Sequence, residues 1–249
     1  MRKLTARIPS FESFATLAGP GTPYAIFFQG CPYRCAYCHN PDTQVFAGGK
    51  EYTVDEIVAK AVRFKPYFRS GGGVTLSGGE PLAQAEYIAA LEAKLREKGI
   101  GCAIDTSGAV PLGSNVRAAI DGSEMLILDI KMPDDERYRR HIGGSIDTAL
   151  ATLDYAVKTG KRLWLRTVIV PGINDSEAAI DEYVSLLKDS LCGVEKYELL
   201  AFHTLGFEKY AKAGIVNPLE HTEALDKETL ARLQRYLDNA VEQIAAARK

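Results

Sequence analysis

Two patterns of apolar residues alternate along the chain. Short apolar runs bounded by turn residues are typical of buried strands, and apolar residues three or four positions apart are typical of helices. The strand-like runs are Tyr24–Gln29, Val74–Leu76, Cys102–Ile104, Met125–Ile130, Leu163–Val170 and Glu195–Leu200. The helical stretches are Val54–Val62, Ile88–Leu95, Leu150–Val157, Ile180–Leu187 and Leu230–Ile244. This alternation predicts a parallel sheet with helices outside it.

Local signals mark several helix boundaries. Thr53 with Glu56 three residues later has the sequence of a capping box, which predicts a helix N-terminus. Gly99 and Gly160 follow helical stretches and predict their ends, and the last helix is expected to start after Asp226. Because no repeat or change of composition divides the chain, we predict one domain over residues 1–249.

Polar and glycine-rich residues cluster where the predicted strands end. The clusters are Gly30–Asn40, Ser77–Pro81, Asp105–Gly108, Asp129–Lys131, Arg166 and Ala201–Leu205. The carboxyl ends of parallel strands meet at one edge of the sheet, so these clusters predict one shared pocket. Right-handed crossovers allow a doubly wound sheet or a full or partial barrel, and the periodicity does not choose between them.

Composition narrows the class of protein. The 249 residues include 30 basic and 32 acidic side chains, a net charge of −2, and are 46% apolar. This balance excludes disorder and argues against nucleic acid as a partner, which would require a basic surplus. No apolar run approaches the roughly 20 residues of a membrane span, and residues 1–13 lack the apolar core of a signal peptide. We therefore expect a cytoplasmic protein without a membrane partner.

Three of the five cysteines, Cys31, Cys35 and Cys38, lie within eight residues after the first predicted strand. Clustered thiolates favour zinc, copper(I) or an iron–sulfur cluster. A closed zinc site needs a fourth ligand, for which His39, Cys102 or Cys192 is available. A [4Fe–4S] cluster with three cysteines leaves one iron open to a small chelating ligand. Cys102 and Cys192 are otherwise expected to be small apolar residues.

The cysteine loop, GCPYRCAYCHN at Gly30–Asn40, resembles the cluster loop of radical S-adenosylmethionine (SAM) enzymes. The segments IPSFESFATLAGPG, GGGVTLSGGEPL, LWLRTVIVPG and VEKYELLAFHTLG extend the likeness nearly end to end. SFES, CHNPDT and SGGE together resemble the branch that activates glycyl radical enzymes. The resemblance implies a partial (β/α)6 TIM-like barrel of the radical SAM type.

The resemblance also implies an oxidoreductase with two cofactors. Cys31, Cys35 and Cys38 match the ligands of a [4Fe–4S] cluster, and the fourth iron binds SAM. Reductive cleavage of SAM gives methionine and a 5′-deoxyadenosyl radical, which removes hydrogen from a backbone glycine of the partner. That partner is expected to be pyruvate formate-lyase or a related glycyl radical enzyme, and the electron donor a flavodoxin or ferredoxin. We expect a monomer.

Other positions match the family's cofactor pocket. Those expected to line SAM are Tyr37, Cys38, His39, Gly78, Gly79, Glu80, Asp129, Ile130, Lys131, Arg166 and His203. The candidate monovalent-cation site consists of Asp105, Thr106 and Asp129. Glycines at positions 78 and 79 allow close approach of the backbone to a ligand, Glu80 suits an ammonium group, and Lys131 suits a carboxylate.

Two positions depart from the family's pattern. Ala18 and Pro23 stand where pyruvate formate-lyase activases carry aspartate and arginine, which leaves the identity of the partner open. No cysteine cluster lies between Asn40 and Ser77, so an inserted ferredoxin-like domain is not expected. Two other hypotheses are a radical SAM enzyme acting on a small molecule or nucleoside, and a zinc-stabilised binding module.

Overall fold

The computed structural model of the protein describes residues 4–15, 19–68 and 71–247. The chain divides into two compact units. The first unit comprises Met1–Pro32 and Thr43–Leu128, and the second comprises Tyr33–Asp42 and Asp129–Lys249. The single domain that the sequence predicts for residues 1–249 stays a prediction.

Five of the seven strands described for the first unit form a largely parallel sheet. The seven strands are β1 (Thr5–Ile8), β2 (Ser10–Glu12), β3 (Tyr24–Phe28), β4 (Lys50–Thr53), β5 (Val74–Gly78), β6 (Cys102–Thr106) and β7 (Met125–Asp129), whose last residue belongs to the second unit. The sheet order is β2-β3-β5-β6-β7, with β2 antiparallel to β3 and the later pairs parallel. β1 and β4 form a separate antiparallel pair.

A row of apolar side chains across this sheet forms the centre of its core. Ile26, Leu76, Ile104 and Leu126 are paired in register on four neighbouring strands, and all four are 0% exposed. Burial of one such side chain contributes about 1.5–3 kcal/mol. The row therefore fixes the register, and with it the level at which each polar strand end begins.

Three helices complete the first unit: α1 (Val54–Phe64), α2 (Ala85–Glu97) and α3 (Ser114–Gly122). The predicted capping box is confirmed at the start of α1, because the Glu56 N–H donates to Thr53 Oγ1 at 3.3 Å and the Thr53 N–H donates to Glu56 Oε2 at 2.8 Å. The buried face of α1 contains Ile57, Val58 and Ala61. The sequence therefore positions this helix as expected.

The second unit contains two further strands and five helices among its described residues. These are α4 (Asp135–His141), α5 (Asp147–Lys158), β8 (Arg162–Ile169), α6 (Glu177–Leu187), β9 (Lys196–Ala201), α7 (Phe207–Ala213) and α8 (Lys227–Ala247). β8 and β9 are parallel, with Leu165 opposite Tyr197. The Asp226 side chain accepts from the Thr229 N–H at 2.8 Å, so it caps α8 where the sequence predicts the start.

A side chain from α8 covers part of the outer edge of β9. Gln234 accepts the Leu199 N–H through Oε1 at 2.7 Å and donates Nε2 to the Tyr197 carbonyl at 3.0 Å. These two backbone groups face away from β8. Gln234 thereby occupies the hydrogen-bonding position that a residue of a further strand would take.

The fold class agrees with the sequence prediction. The described residues contain six parallel strands, four in the first unit and β8 and β9 in the second, with helices between most successive strands. Their pairing does not close into a ring, which is consistent with the predicted partial (β/α)6 TIM-like barrel. None of the described helices combines the length and apolar character needed to cross a membrane.

Candidate functional site

The first part of the cysteine loop is held by a returning segment of the first unit. The Gly30 N–H donates to the Thr43 carbonyl at 2.8 Å, and the Cys31 N–H donates to the Gln44 carbonyl at 3.2 Å. Gly30 has φ +94°, and a Cβ there would lie 2.4 Å from the Phe46 ring. Only glycine therefore fits immediately before Cys31.

The second part of the loop is held by the C-terminal end of α4. The Ala36 N–H donates to the His141 carbonyl at 2.7 Å, and the Arg34 N–H donates to the Ile142 carbonyl at 2.8 Å. The final carbonyls of a helix have no partner within it, so the loop satisfies them. The Cys38 N–H in turn donates to the Cys35 carbonyl at 3.1 Å, which makes a tight turn between two cysteines.

The donor set on this loop fits an iron–sulfur cluster. Cys31, Cys35 and Cys38 are half-buried, and none forms a disulfide. Within the described residues, no three His, Cys, Asp or Glu side chains converge on a single metal ion. A four-iron cluster does not require such convergence, because each thiolate binds a different iron. The assignment of these three ligands stays a prediction that the chemistry of the donors supports.

The remaining cysteines lie in different environments. Cys102 is 5% exposed at the start of β6, whereas Cys192 is exposed. Burial raises the pKa of the Cys102 thiol well above its ordinary value, and the carboxylates of Glu92 and Glu124 act in the same direction. Cys102 is therefore held as a neutral thiol, in keeping with its expected apolar role.

The glycines after β5 are required by the chain's own backbone. Gly78 has φ +114°, and a Cβ there would lie 2.2 Å from the Phe28 nitrogen. A Cβ on Gly79 would lie 2.5 Å from the Gly30 carbonyl oxygen. This close approach allows the Glu80 N–H to donate to that carbonyl at 2.8 Å. The glycine-rich turn is therefore fixed against the start of the cysteine loop.

We expect Gly78→Ala to destabilise the protein by about 3 kcal/mol, because the added methyl group meets rigid backbone at a positive φ. Urea unfolding measures this free energy. Gly113→Ala is the control, since a Cβ there meets nothing within 4 Å. Equal stability of the two variants would contradict the packing argument.

Glu80 is completely buried, and its carboxylate is saturated by the first unit. Oε1 accepts the Leu82 N–H at 3.0 Å and the Thr106 hydroxyl at 2.6 Å. Oε2 accepts the Ser107 N–H at 3.0 Å and the Ser107 hydroxyl at 2.6 Å. A carboxylate has about four lone-pair sites, so these contacts fill them. Glu80 thus ties the glycine-rich turn to the end of β6, and its expected contact with an ammonium group stays a prediction.

The first-unit members of the candidate cation site also have internal partners. The Ser77 hydroxyl donates to Asp105 Oδ2 at 2.8 Å. Thr106 donates to Glu80 and accepts the Gly108 N–H at 3.0 Å. Asp129, the third expected member, belongs to the second unit. The cation site stays a prediction.

In the second unit, the structure brings Tyr37, Asp129 and Lys131 together. Lys131 Nζ is 2.8 Å from Asp129 Oδ2 and 6.0 Å from the centre of the Tyr37 ring. The Tyr37 hydroxyl donates to the Lys131 carbonyl at 3.2 Å. Burial alone would lower the pKa of Lys131, but Asp129 and Cys35 raise it well above its ordinary value. Lys131 is therefore a fixed cation that could hold a carboxylate.

Ile130 and Arg166 are joined through their backbones. The Ile130 N–H donates to the Arg166 carbonyl at 2.8 Å, and the Thr167 hydroxyl donates to the Ile130 carbonyl at 2.8 Å. The Arg166 side chain is 6% exposed, and its Nε lies 3.1 Å from Glu198 Oε2. The partner Glu198 gives no sequence signal, and only the register of β8 and β9 reveals it.

Glu198 makes the stability of the second unit depend on pH. Burial alone would raise the pKa of its carboxyl, but hydrogen bonds and charges from Lys196 and Arg166 hold that pKa below the ordinary 4.5. The resulting stabilisation is present above the unfolded-state pKa and is lost as the pH falls through the folded-state pKa. We expect Glu198→Gln to lower the free energy of unfolding at pH 7 and to reduce its loss between pH 5 and pH 3.

Urea unfolding across that pH range measures the effect. Asp154→Asn is a suitable control, because it removes a carboxylate from an exposed ion pair with Lys158. Exposed pairs contribute little, so its effect should be small. An unchanged pH dependence in Glu198→Gln would show that the ion pair with Arg166 contributes no such stability.

His39 and His203 meet edge to face, with ring centres 4.7 Å apart. Burial lowers the pKa of His39 to about 4, and Lys209 and His203 act in the same direction. His39 is therefore neutral at pH 7 and can accept or donate a hydrogen bond. The described pocket residues of the second unit thus include three sets whose members contact one another: Tyr37 with Asp129 and Lys131, Ile130 with Arg166, and His39 with His203.

Comparison with known proteins defines the class. The Radical SAM superfamily matches residues 25–184, and the chain belongs to that superfamily. Membership implies a [4Fe–4S] cluster and SAM as cofactors, and it argues against the zinc-stabilised binding module.

Particular relatives extend over nearly the whole chain. The pyruvate formate-lyase-activating enzyme of Clostridium pasteurianum is 43% identical over 238 residues, which cover 95% of this chain and 98% of the relative. The enzyme of that name from Staphylococcus aureus strain USA300 is 38% identical over 245 residues, covering 94% and 96%. The chain is accordingly an enzyme of the radical SAM activase class, as the motifs predict.

A solved structure supports the fold. A domain of a pyruvate-formate lyase-activating enzyme from Bacteroides vulgatus has a TM-score of 0.56 at 20% identity, over 68% of this chain and 95% of that chain. At this identity the likeness shows the fold alone. It agrees with the mixed α/β arrangement described above.

Proposed function

We propose that this protein activates a glycyl radical enzyme, pyruvate formate-lyase or a close relative, by installing a radical on one of its backbone glycines. When bound, the [4Fe–4S] cluster and SAM supply the reductive cleavage and hydrogen abstraction. The observation that carries the proposal is the 43% identity to an activase of that name over nearly the full length of both proteins.

The proposed roles of the residues follow from their donors and charges. Cys31, Cys35 and Cys38 provide three soft thiolates for the cluster. Lys131, whose charge is held by Asp129, suits the carboxylate of SAM. Tyr37 provides an aromatic face next to this cation, which suits an adenine ring.

Other residues of the proposed pocket act by holding strand ends in place. Glu80 fixes the glycine-rich turn, and the ion pair with Glu198 restrains Arg166. His39, which is neutral at pH 7, supplies a hydrogen-bonding group on the second half of the cysteine loop, and the His203 ring packs against it. A monovalent cation near Asp105, Thr106 and Asp129 is part of the proposal. The electron donor is proposed to be a flavodoxin or ferredoxin.

The partner is the least constrained part of this function. Ala18 lies outside the described residues, and Pro23 contributes a backbone carbonyl that accepts the Ala15 N–H at 3.1 Å. The Pro23 contact is made by the backbone, so it does not depend on which side chain stands at that position. The proposal therefore includes a relative of pyruvate formate-lyase as the partner. The similarity to named activases favours a protein over a small molecule or nucleoside as substrate.

The decisive experiment combines the anaerobically reconstituted enzyme, SAM and dithionite with pyruvate formate-lyase from the same organism. We expect a glycyl radical signal in electron paramagnetic resonance spectra and one methionine per radical. The matched control is a partner whose radical glycine is replaced by alanine. SAM cleavage without a radical on any glycyl radical enzyme of that organism would refute the activase role. Replacing dithionite with flavodoxin or ferredoxin then tests the electron donor.

A further inference from the structure

Helix α7 packs on the second half of the cysteine loop and contacts it at two points. Lys209 Nζ donates to Asn40 Oδ1 at 2.5 Å. A Cβ on Gly206 would lie 2.8 Å from the His39 carbonyl oxygen, so the start of the helix lies directly against the loop backbone. The segment from His39 to Asn40 is therefore held by a helix that the predicted pocket does not include.

Tyr210 is the inward-facing residue of this helix. Its side chain is 4% exposed, and its hydroxyl is buried without a hydrogen-bond partner among the described residues. A buried hydroxyl without a partner costs about 1–3 kcal/mol, so its retention calls for an explanation. Phenylalanine would provide the same apolar packing without this cost.

Because Gly206 and Lys209 contact His39 and Asn40, the buried Tyr210 on the same helix lies on the side of α7 that packs on the cysteine loop. Burial raises the pKa of Tyr210 above its ordinary value, and the side chains of Cys38 and Cys35 raise it further. The backbone N–H of Cys38 lowers that pKa. These influences agree with the packing of α7 on the loop segment His39–Asn40, which directly follows Cys38. A neutral phenol is a donor suited to a thiolate, since hydrogen bonds to charged acceptors are the stronger ones.

We propose that Tyr210 donates a hydrogen bond to the Cys38 sulfur when the cluster is bound, and that it thereby raises the cluster's reduction potential. The proposal rests on the proposed function, because it takes Cys38 as a ligand. No proton is transferred, since the phenol keeps its hydrogen in both oxidation states. A hydrogen bond to sulfur stabilises the more negative, reduced cluster, which makes reduction easier. Tyr210 is a positioning and tuning residue.

The test compares Tyr210→Phe with Tyr87→Phe. Tyr87 lies on α2, is 2% exposed and also has a buried hydroxyl without a hydrogen-bond partner in the described part of the chain. Both substitutions therefore remove one buried hydroxyl and keep the ring. The readout is the cluster's midpoint potential, from a redox titration followed by electron paramagnetic resonance. We expect only Tyr210→Phe to shift reduction about tenfold to lower potential, about 59 mV for one electron.

A second readout identifies the hydrogen bond itself. Electron–nuclear double resonance of the reduced cluster, in H2O and D2O, is expected to show one exchangeable proton coupling that Tyr210→Phe lacks and Tyr87→Phe retains. If all three proteins hold four irons with the same potential or the same couplings, the inference is wrong while the proposed function stands. If the unaltered protein assembles no four-iron cluster, the proposed function itself fails.

Discussion

Cys35→Ala is expected to lose the intact four-iron cluster and, with it, at least about 1,000-fold of the SAM cleavage activity. A cluster held by three thiolates has no spare protein ligand, so removing one exposes a second iron and the cluster falls apart or fails to assemble. Cys31→Ala and Cys38→Ala should behave in the same way. Iron and sulfide analysis and methionine release measure these effects.

The other two cysteines provide the matched controls. Cys102→Ala removes a buried neutral thiol and Cys192→Ala an exposed one, so both variants should hold about four irons and cleave SAM normally. Equal loss of iron in all five variants would contradict the ligand assignment. Retention of the cluster in Cys35→Ala would show that another side chain completes it.

Glu80→Ala is expected to destabilise the first unit by roughly 4 kcal/mol, because it leaves buried donors on Leu82, Thr106 and Ser107 without an acceptor. Urea unfolding measures the loss, and Glu86→Ala, an exposed change on α2, should stay within about 0.5 kcal/mol. A double-mutant cycle with Ser107→Ala should show coupling, since the two side chains share one hydrogen-bond network.

The same variant separates two roles for Glu80. If the carboxylate mainly holds the turn against β6, Glu80→Ala weakens folding and SAM binding together. Calorimetric titration of the reconstituted protein with SAM gives the second quantity. Loss of SAM binding with an unchanged free energy of unfolding would assign Glu80 to the ligand and refute its structural role.

Much of the framework follows from local sequence. The strands beginning at Tyr24, Val74 and Cys102 start where the apolar runs predict, because a buried strand needs apolar residues on both faces. The capping box at Thr53 is equally predictable from the sequence, since both of its hydrogen bonds lie within four residues. In contrast, six elements are absent from the prediction: β1, β2, β4, α3, α4 and α7. The short strands among them depend on pairing with distant partners, and α4 and α7 have only seven residues each, too few for a clear helical period.

The candidate site divides in the same way. The cysteine spacing and the SGGE turn are local patterns, and the family resemblance identifies them. Ser107 lies in a predicted strand-end cluster, but its hydrogen bond to Glu80 is not predicted from the sequence. Glu198 and Tyr210 are absent from the prediction, because the role of each depends on a partner far away in sequence. Glu80 shows the limit of prediction from sequence. Its sequence context indicates a contact with a ligand, whereas in the structure its carboxylate accepts hydrogen bonds from hydroxyl and amide donors of the chain.

Gln234 has a consequence for the behaviour of the protein at high concentration. An open sheet exposes unpaired amides on its last strand, and these can recruit strands from other copies. By occupying the Leu199 N–H and the Tyr197 carbonyl, Gln234 removes two of the backbone groups with which such a strand would pair. The edge of β9 is therefore less available to strands of other copies, which limits fibril growth through it.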